Sequence, residues 1–227
     1  MFGLDETIAH LSNGTTLALV ALVATVLGLR HASDPDHLAA VTTLIASRDE
    51  RAARAAGRLG FVWGLGHATT LFAFGLPIVL FHAYLPEPVQ AGAETTVGLL
   101  IVALAVWLLI RWRRGHFRGH AHTPSRARTP LQAYGIGLVH GLGGSAGVGV
   151  LMLATIRDHV LAVAALGVFA FFTAVSMALL STGFGATLAT ARVRGSFQRL
   201  APALGFGSLV FGVWYALGAL SVAPYFF

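Results

Sequence analysis

The chain has no cysteine and no lysine, and only 9 acidic residues among its 227. Without cysteine there are no disulfides, no thiolate metal sites and no cysteine nucleophile. Any bound metal must therefore be held by imidazole nitrogen and oxygen. Without lysine, all 15 cationic side chains are arginine and the formal charge of +6 is an arginine charge. Charge of either sign is scarce, at 11% of residues, where a soluble domain carries roughly 25%. So few charges cannot cover a water-facing surface of this size. The remainder, 56% hydrophobic with a mean hydropathy of +0.76, points to lipid as the solvent. The arginines gather in short stretches between apolar runs, which is a topology signal and not a nucleic-acid surface. A basic leader is also missing. Asp5 and Glu6 stand where a signal peptide would carry positive charge, so the start does not read as a cleaved segment.

Several apolar runs approach or exceed the ~20 residues that cross a ~30 Å hydrocarbon layer. Six spans are expected, near 15–47, 59–82, 93–110, 131–156, 160–189 and 200–222. Residues 1–227 then form a single membrane domain, with no segment left for a separate soluble catalytic unit. The connections alternate in charge: Arg48, Arg51, Arg54 and Arg58 in the first, Glu87 without a basic residue in the second, six arginines in the third at 111–130. The fourth pairs Arg157 with Asp158, and the fifth carries Arg192, Arg194 and Arg199. Short basic loops stay cytoplasmic, so the alternation fits six spans with both termini outside and 111–130 as a cytoplasmic loop. The cell membrane of a bacterium or archaeon, its inner membrane, is the expected location.

The first span is too long for one straight crossing. As a single helix its 33 residues would extend ~50 Å. Pro35 lies inside it and disfavours helical geometry at Asp34, so a helix broken near Pro35 is expected. Broken helices at membrane depth occur where they line a cavity or are buried in protein.

An internal repeat is visible. Gly28-Leu29-Arg30-His31 aligns with Gly137-Leu138-Val139-His140, and Gly98 and Trp107 share their spacing with Gly205 and Trp214. Half-repeats of roughly 15–110 and 131–222 then hold three spans each. An odd number per half makes the halves inverted, a common plan for secondary transporters with a site between the halves at midplane. The expected fold class is an all-α integral membrane protein of six transmembrane helices in two inverted three-helix repeats.

The densest chemistry lies in Arg30-His31-Ala32-Ser33-Asp34-Pro35-Asp36-His37. Two imidazoles and two carboxylates occur within seven residues of an apolar stretch, where ionisable groups are costly and by default functional. Nitrogen and carboxylate oxygen donors suit nickel, cobalt or zinc. The bland alternative is a solvated polar loop ending a short first span. Residues 15–29 are short for a crossing, however, and Leu38 to Ala46 is again mostly apolar. His67, in Gly64-Leu65-Gly66-His67-Ala68-Thr69-Thr70, and His140, before Gly141-Leu142-Gly143-Gly144, also interrupt apolar spans. Each alone is equally an interhelical hydrogen-bonding residue. Counted from the nearest cytoplasmic arginine, His31, His140, His37 and His67 sit at roughly 26, 18, 17 and 14 Å depth, all inside a ~30 Å core. The candidate metal ligands are therefore His31, Asp34, Asp36, His37, His67 and His140. His116, His120 and His122 on the third connection could gather metal or simply be solvated. His10, His82 and His159 fall near outer ends of spans, and Glu94 is expected at the interface. Thr42, Thr43, Thr69 and Thr70 either line a pathway or bond to their own helix backbones.

The run RHASDPDHLAA resembles the signature of the nickel/cobalt transporter family, in which His, four residues and Asp-His lie on a transmembrane helix; here these are His31, Asp36 and His37. GLGHATT resembles that family's second Gly-His-Ser/Thr motif at His67, and GLVHGLGGSAG is similar to a His-Gly segment of related urease-accessory and metal-efflux membrane proteins at His140. The resemblance implies divalent nickel or cobalt as transported substrate, no prosthetic group, secondary transport without a nucleotide, and the lysine-exporter-like plan of paired three-helix halves. The chain departs from the best-known uptake permeases, which have eight spans and further acidic motifs.

The expected function is secondary transport of nickel or cobalt by alternating access, with the metal ion and the lipid bilayer as partners. Two alternatives stand beside it. One is a carrier of an amino acid or inorganic anion on the same architecture. The other is an intramembrane metal-dependent enzyme, although HExxH is absent and an enzyme needs an activated water and a defined base.

Overall fold

The computed structural model describes residues 4–44, 52–81, 86–115, 129–143, 150 and 153–224. Among these residues there are seven helices and no strand: α1 Leu4–His31, α2 Pro35–Leu44, α3 Ala52–Phe81, α4 Glu87–Arg113, α5 Pro130–His140, α6 His159–Ala189 and α7 Ala191–Ala219. Four stretches are long and apolar enough to cross a bilayer: Arg54–Phe81, Glu87–Arg113, His159–Leu188 and Gln198–Ala219. Leu17–His31 and Pro35–Val41 pass the same test only together, as a pair bent by 50° that is either a broken fifth span or a re-entrant loop. The protein is thus a multi-pass, all-helical membrane protein. The remaining expected span, 131–156, is described as α5, 11 residues long, and as residues 141–143, 150 and 153–156; the rest of it lies outside the described residues, as do His82, His116, His120 and His122.

Local chemistry sets the helix ends. At the α1–α2 break, Ser33 N–H donates to the Arg30 carbonyl at 2.8 Å and Asp34 N–H to the His31 carbonyl at 3.1 Å. The Asp34 carbonyl then accepts from Leu38 N–H at 3.1 Å and opens α2, with Pro35 at its first position, where a missing N–H costs nothing. The break expected near Pro35 is present. Thr129 caps α5 in a reciprocal pair with Gln132 at 3.2 and 3.0 Å, and the Asp158 carboxylate caps α6 through Leu161 N–H at 2.9 Å. α4 starts earlier than its apolar run because Pro86 and Pro88 set its first turn.

Without a hydrophobic force between helices in lipid, small residues that allow close approach hold them together. α3 and α6 run antiparallel: Gly60 lies against Ser181, Gly64 against Ala174 and Gly75 against Leu166. α4 and α7 meet at Gly98 against Ala216, Gly205 against Leu109, and Gly212 against Val102. α1 packs on α6, where a methyl group at Gly28 would lie 2.6 Å from the Phe169 carbonyl oxygen. α5 packs on α3, with Gly137 against the Trp63 carbonyl. Large apolar side chains such as Leu22, Phe171, Leu179 and Val210 stay more than half exposed on the helix flanks, the surface lipid would cover.

Candidate metal centre

The 50° bend after α1 brings a side chain from the first turn of α2 beside the end of α1. His31 is the last residue of α1, and Asp36 and His37 lie in the first turn of α2. On one straight helix His31 and His37 would face different ways; here their ring centroids are 4.6 Å apart. α3 brings His67 to 5.1 Å from His31 and 4.9 Å from His37. The end of α5 brings His140 to 4.5 Å from His37 and 5.9 Å from His67. All of these side chains are buried: His67 and His140 are 0% exposed, His37 1%, Asp36 3% and His31 4%. Asp34 is at 14%. The six residues singled out in the sequence are thus brought together at one place from four helices and a turn. Two subsets, His31 with His37 and His67, and Asp36 with His37 and His140, each have ligand atoms within 4.8 Å of one another.

The hydrogen bonds order the rings. His31 Nδ1 lies 3.2 Å from Asp34 Oδ2, His37 Nδ1 is 3.1 Å from Asp36 Oδ1, and His140 Nε2 is 3.2 Å from Asp36 Oδ2. An ionised carboxylate only accepts, so each of these ring nitrogens is the N–H donor. In neutral imidazole the other nitrogen is then a bare lone pair. His31 Nε2 therefore accepts from His67 Nε2–H at 3.0 Å, which makes His67 Nδ1 a lone pair as well. Among the described residues, His37 Nε2, His67 Nδ1 and His140 Nδ1 find no hydrogen-bond partner. With neutral rings, the unpartnered nitrogens are electron-pair donors without an acid to receive them. With neutral rings and ionised carboxylates, the two aspartates give the cluster two negative charges.

Some surroundings were not evident from the sequence. Trp63, one turn before His67 on α3, is buried with its ring 5.7 Å from His37 and 5.6 Å from His140. Phe169 of α6 stands 5.8 Å from the His31 ring. Thr70 Oγ donates to the Leu138 carbonyl at 2.9 Å and ties α3 to α5 beside His140, whereas Thr69 Oγ donates to its own helix at Leu65, 2.8 Å. Glu94 is not at the end of its span: it lies two turns inside α4, 7% exposed, accepting from Gln90 Nε2 at 3.0 Å. His159 is exposed at the start of α6.

Comparison with known proteins agrees with this chemistry. Residues 17–125 match the NicO family, described as high-affinity nickel-transport protein. The urease accessory protein UreH of Bacillus sp. (strain TB-90) is 28% identical over 210 residues, 84% of this chain and 87% of UreH. The cobalt transport protein NhlF of Rhodococcus rhodochrous is 33% identical over 93 residues, 41% of this chain but only 26% of NhlF. No solved structure matches.

Proposed function

We propose, from the match of residues 17–125 to the nickel-transport family and the similarity to UreH and NhlF, that the chain is a secondary carrier of nickel or cobalt ions and that His31, Asp34, Asp36, His37, His67 and His140 form its transport site. The observation that carries this reading is the set of unpartnered lone pairs on His37, His67 and His140. Buried polar atoms normally have partners, and a divalent cation is the partner that imidazole lone pairs suit. The spacing agrees. Ligand nitrogens bound at ~2.1 Å stand ~3.0–3.4 Å apart on one ion, and His31 Nε2 and His67 Nε2 are 3.0 Å apart. Moving the His67 proton from Nε2 to Nδ1 frees that pair for the ion, with His67 then binding through Nε2 in place of Nδ1. Asp34 and Asp36 take the role of carboxylates behind ligating histidines, which fix tautomer and ring orientation.

Charge argues against the anion carrier, because two aspartates pair with histidines of the cluster while Arg30 is exposed. The matches to transport proteins favour a carrier over an enzyme. We read the architecture as six spans in two inverted repeats, with both termini outside in a bacterial or archaeal inner membrane. Helix contacts support the repeat. His31 and His140, which align in the sequence, each end a helix. The pair Gly98–Ala216 becomes Leu109–Gly205 on exchanging the halves at an offset of 107, and Gly60–Ser181 becomes Leu166–Gly75 at 106.

The test is accumulation of nickel and of cobalt in proteoliposomes. Wild type is expected to accumulate at least one of them, and His31→Ala and His37→Ala to fall to the level of empty liposomes. Unchanged transport in both variants would remove the site assignment.

A further inference from the structure

The exchange of halves pairs more than glycines. At the offset of 106 that relates α3 to α6, Trp63 corresponds to Phe169 and His67 to Thr173. The same relation is visible in the packing. Gly28 lies against Phe169 and Thr173, and its repeat counterpart Gly137 lies against Trp63 and His67. The ring contacts follow suit: Trp63 touches His140, and Phe169 touches His31, the two histidines that the repeat superimposes.

These aromatic rings lie on opposite sides of the site. α3 and α6 are antiparallel, with His67 level with Thr173. Trp63 is four residues toward the N-terminal end of α3, the end that carries Arg54 and Arg58. Phe169 is four residues toward the N-terminal end of α6, which is the other end of the pair. Each is displaced from the site level by ~6 Å along its helix. Each is also embedded in its own apolar layer. Trp63 packs in a cluster with Ala40, Leu104 and Met177, and Phe169 in one with Leu71, Val79 and Leu166. An ion leaving the histidines toward either face meets one ring and one dry layer, where an unsolvated charge is costly.

We propose that Trp63 and Phe169 are the paired closures of the transport site, Trp63 toward the arginine-rich face and Phe169 toward the other. Withdrawal of one ring while the other stays seated opens the site to one face at a time. The proposal rests on the reading of the chain as a carrier, but its geometry does not depend on which ion is carried.

The natural absence of cysteine supplies the test. A single His140→Cys substitution places a thiol at the centre of the site, and a membrane-impermeant maleimide is applied to right-side-out and to everted membrane vesicles. A separate Arg114→Cys variant reports which vesicle face carries the arginine-rich end. His140→Cys alone should label slowly from both faces. Adding Trp63→Ala should raise labelling by roughly tenfold or more from the Arg114 face only, and adding Phe169→Ala should do so from the opposite face only. Trp63→Leu and Phe169→Leu should give intermediate rates on the same respective faces, and they serve where an alanine variant is lost from the membrane. Acceleration of both variants from one face, or unchanged rates in the leucine and alanine variants of either residue, would overturn the proposal. Thiol labelling requires no metal, so loss of nickel binding in His37→Ala tests the ligand reading separately.

Discussion

In the repeat proposed above, the two halves of the molecule share a skeleton and differ in chemistry. The first half, through α4, holds His31, Asp34, Asp36, His37 and His67; the second contributes only His140. At the repeat offset of 109, the positions matching Asp34, Asp36 and His37 are Gly143, Ser145 and Ala146, and the counterpart of His67 is Thr173. Packing contacts are nonetheless exchanged between halves, with glycine matching glycine at Gly28 and Gly137 and at Gly98 and Gly205. Close helix approach in a membrane is a demand on both halves of a symmetric framework, whereas a single ion needs one set of ligands. The skeleton stayed paired, and the donors are concentrated on one side. The family match at 17–125 falls on the half that holds the donors.

The sharpest way to break this comparison is to remove equivalent residues from each half. His67→Ala should abolish nickel and cobalt binding measured by calorimetry on purified protein, while Thr173→Ala, at the matching position, should leave affinity within about threefold of wild type. Comparable losses from both would show that the halves share the ligand work. Next in size is Asp36→Asn, which keeps the shape but weakens the orientation of His37 and His140. A drop of about 10–100-fold in metal affinity is expected, the usual effect of altering a group behind a ligand. Binding should also weaken as pH falls, because ligating imidazoles must be neutral and protons compete with the ion. Affinity that rises on acidification would contradict the nitrogen-donor site.

The skeleton should respond alike on both sides. A Cβ at Gly28 meets the Phe169 carbonyl, and one at Gly137 meets the Trp63 carbonyl and His67 N. Gly28→Ala and Gly137→Ala should each cost about 1–3 kcal/mol through overpacking, read as similar falls in detergent melting temperature. The smallest effect is expected at Gly207, which has open space around it. Alanine there should be neutral or stabilising by up to about 1 kcal/mol through helix propensity, and a clear loss would show that this flank is packed in the membrane.

Much of the site was legible because its signals are local. A proline within an apolar run marks a break, and carboxylates beside histidines at membrane depth stand out. His140 stood out as a histidine before a glycine-rich run in an apolar span, and in the proposed repeat Gly137-Leu138-Val139-His140 echoes Gly28-Leu29-Arg30-His31. Trp63 and Phe169 could not be singled out, because aromatics are common in apolar spans and their importance depends on which helix face meets the histidines. The 106-residue relation between α3 and α6 was hidden too, as it aligns His67 with threonine and tryptophan with phenylalanine. Glu94 looked interfacial because Glu87 and Gln90 precede it. The proline-set start of α4 carries the helix further out, so that Glu94 is buried with Gln90 as its donor.

The most direct measurement is X-ray absorption at the nickel edge on protein loaded with nickel, wild type beside His37→Ala. A bound ion with several imidazole nitrogens in its coordination shell is expected for wild type, and loss of that ion or its imidazole signature for the variant. Wild-type protein that holds no nickel or cobalt, or an imidazole signature unchanged in His37→Ala, would contradict a buried histidine site for the transported metal.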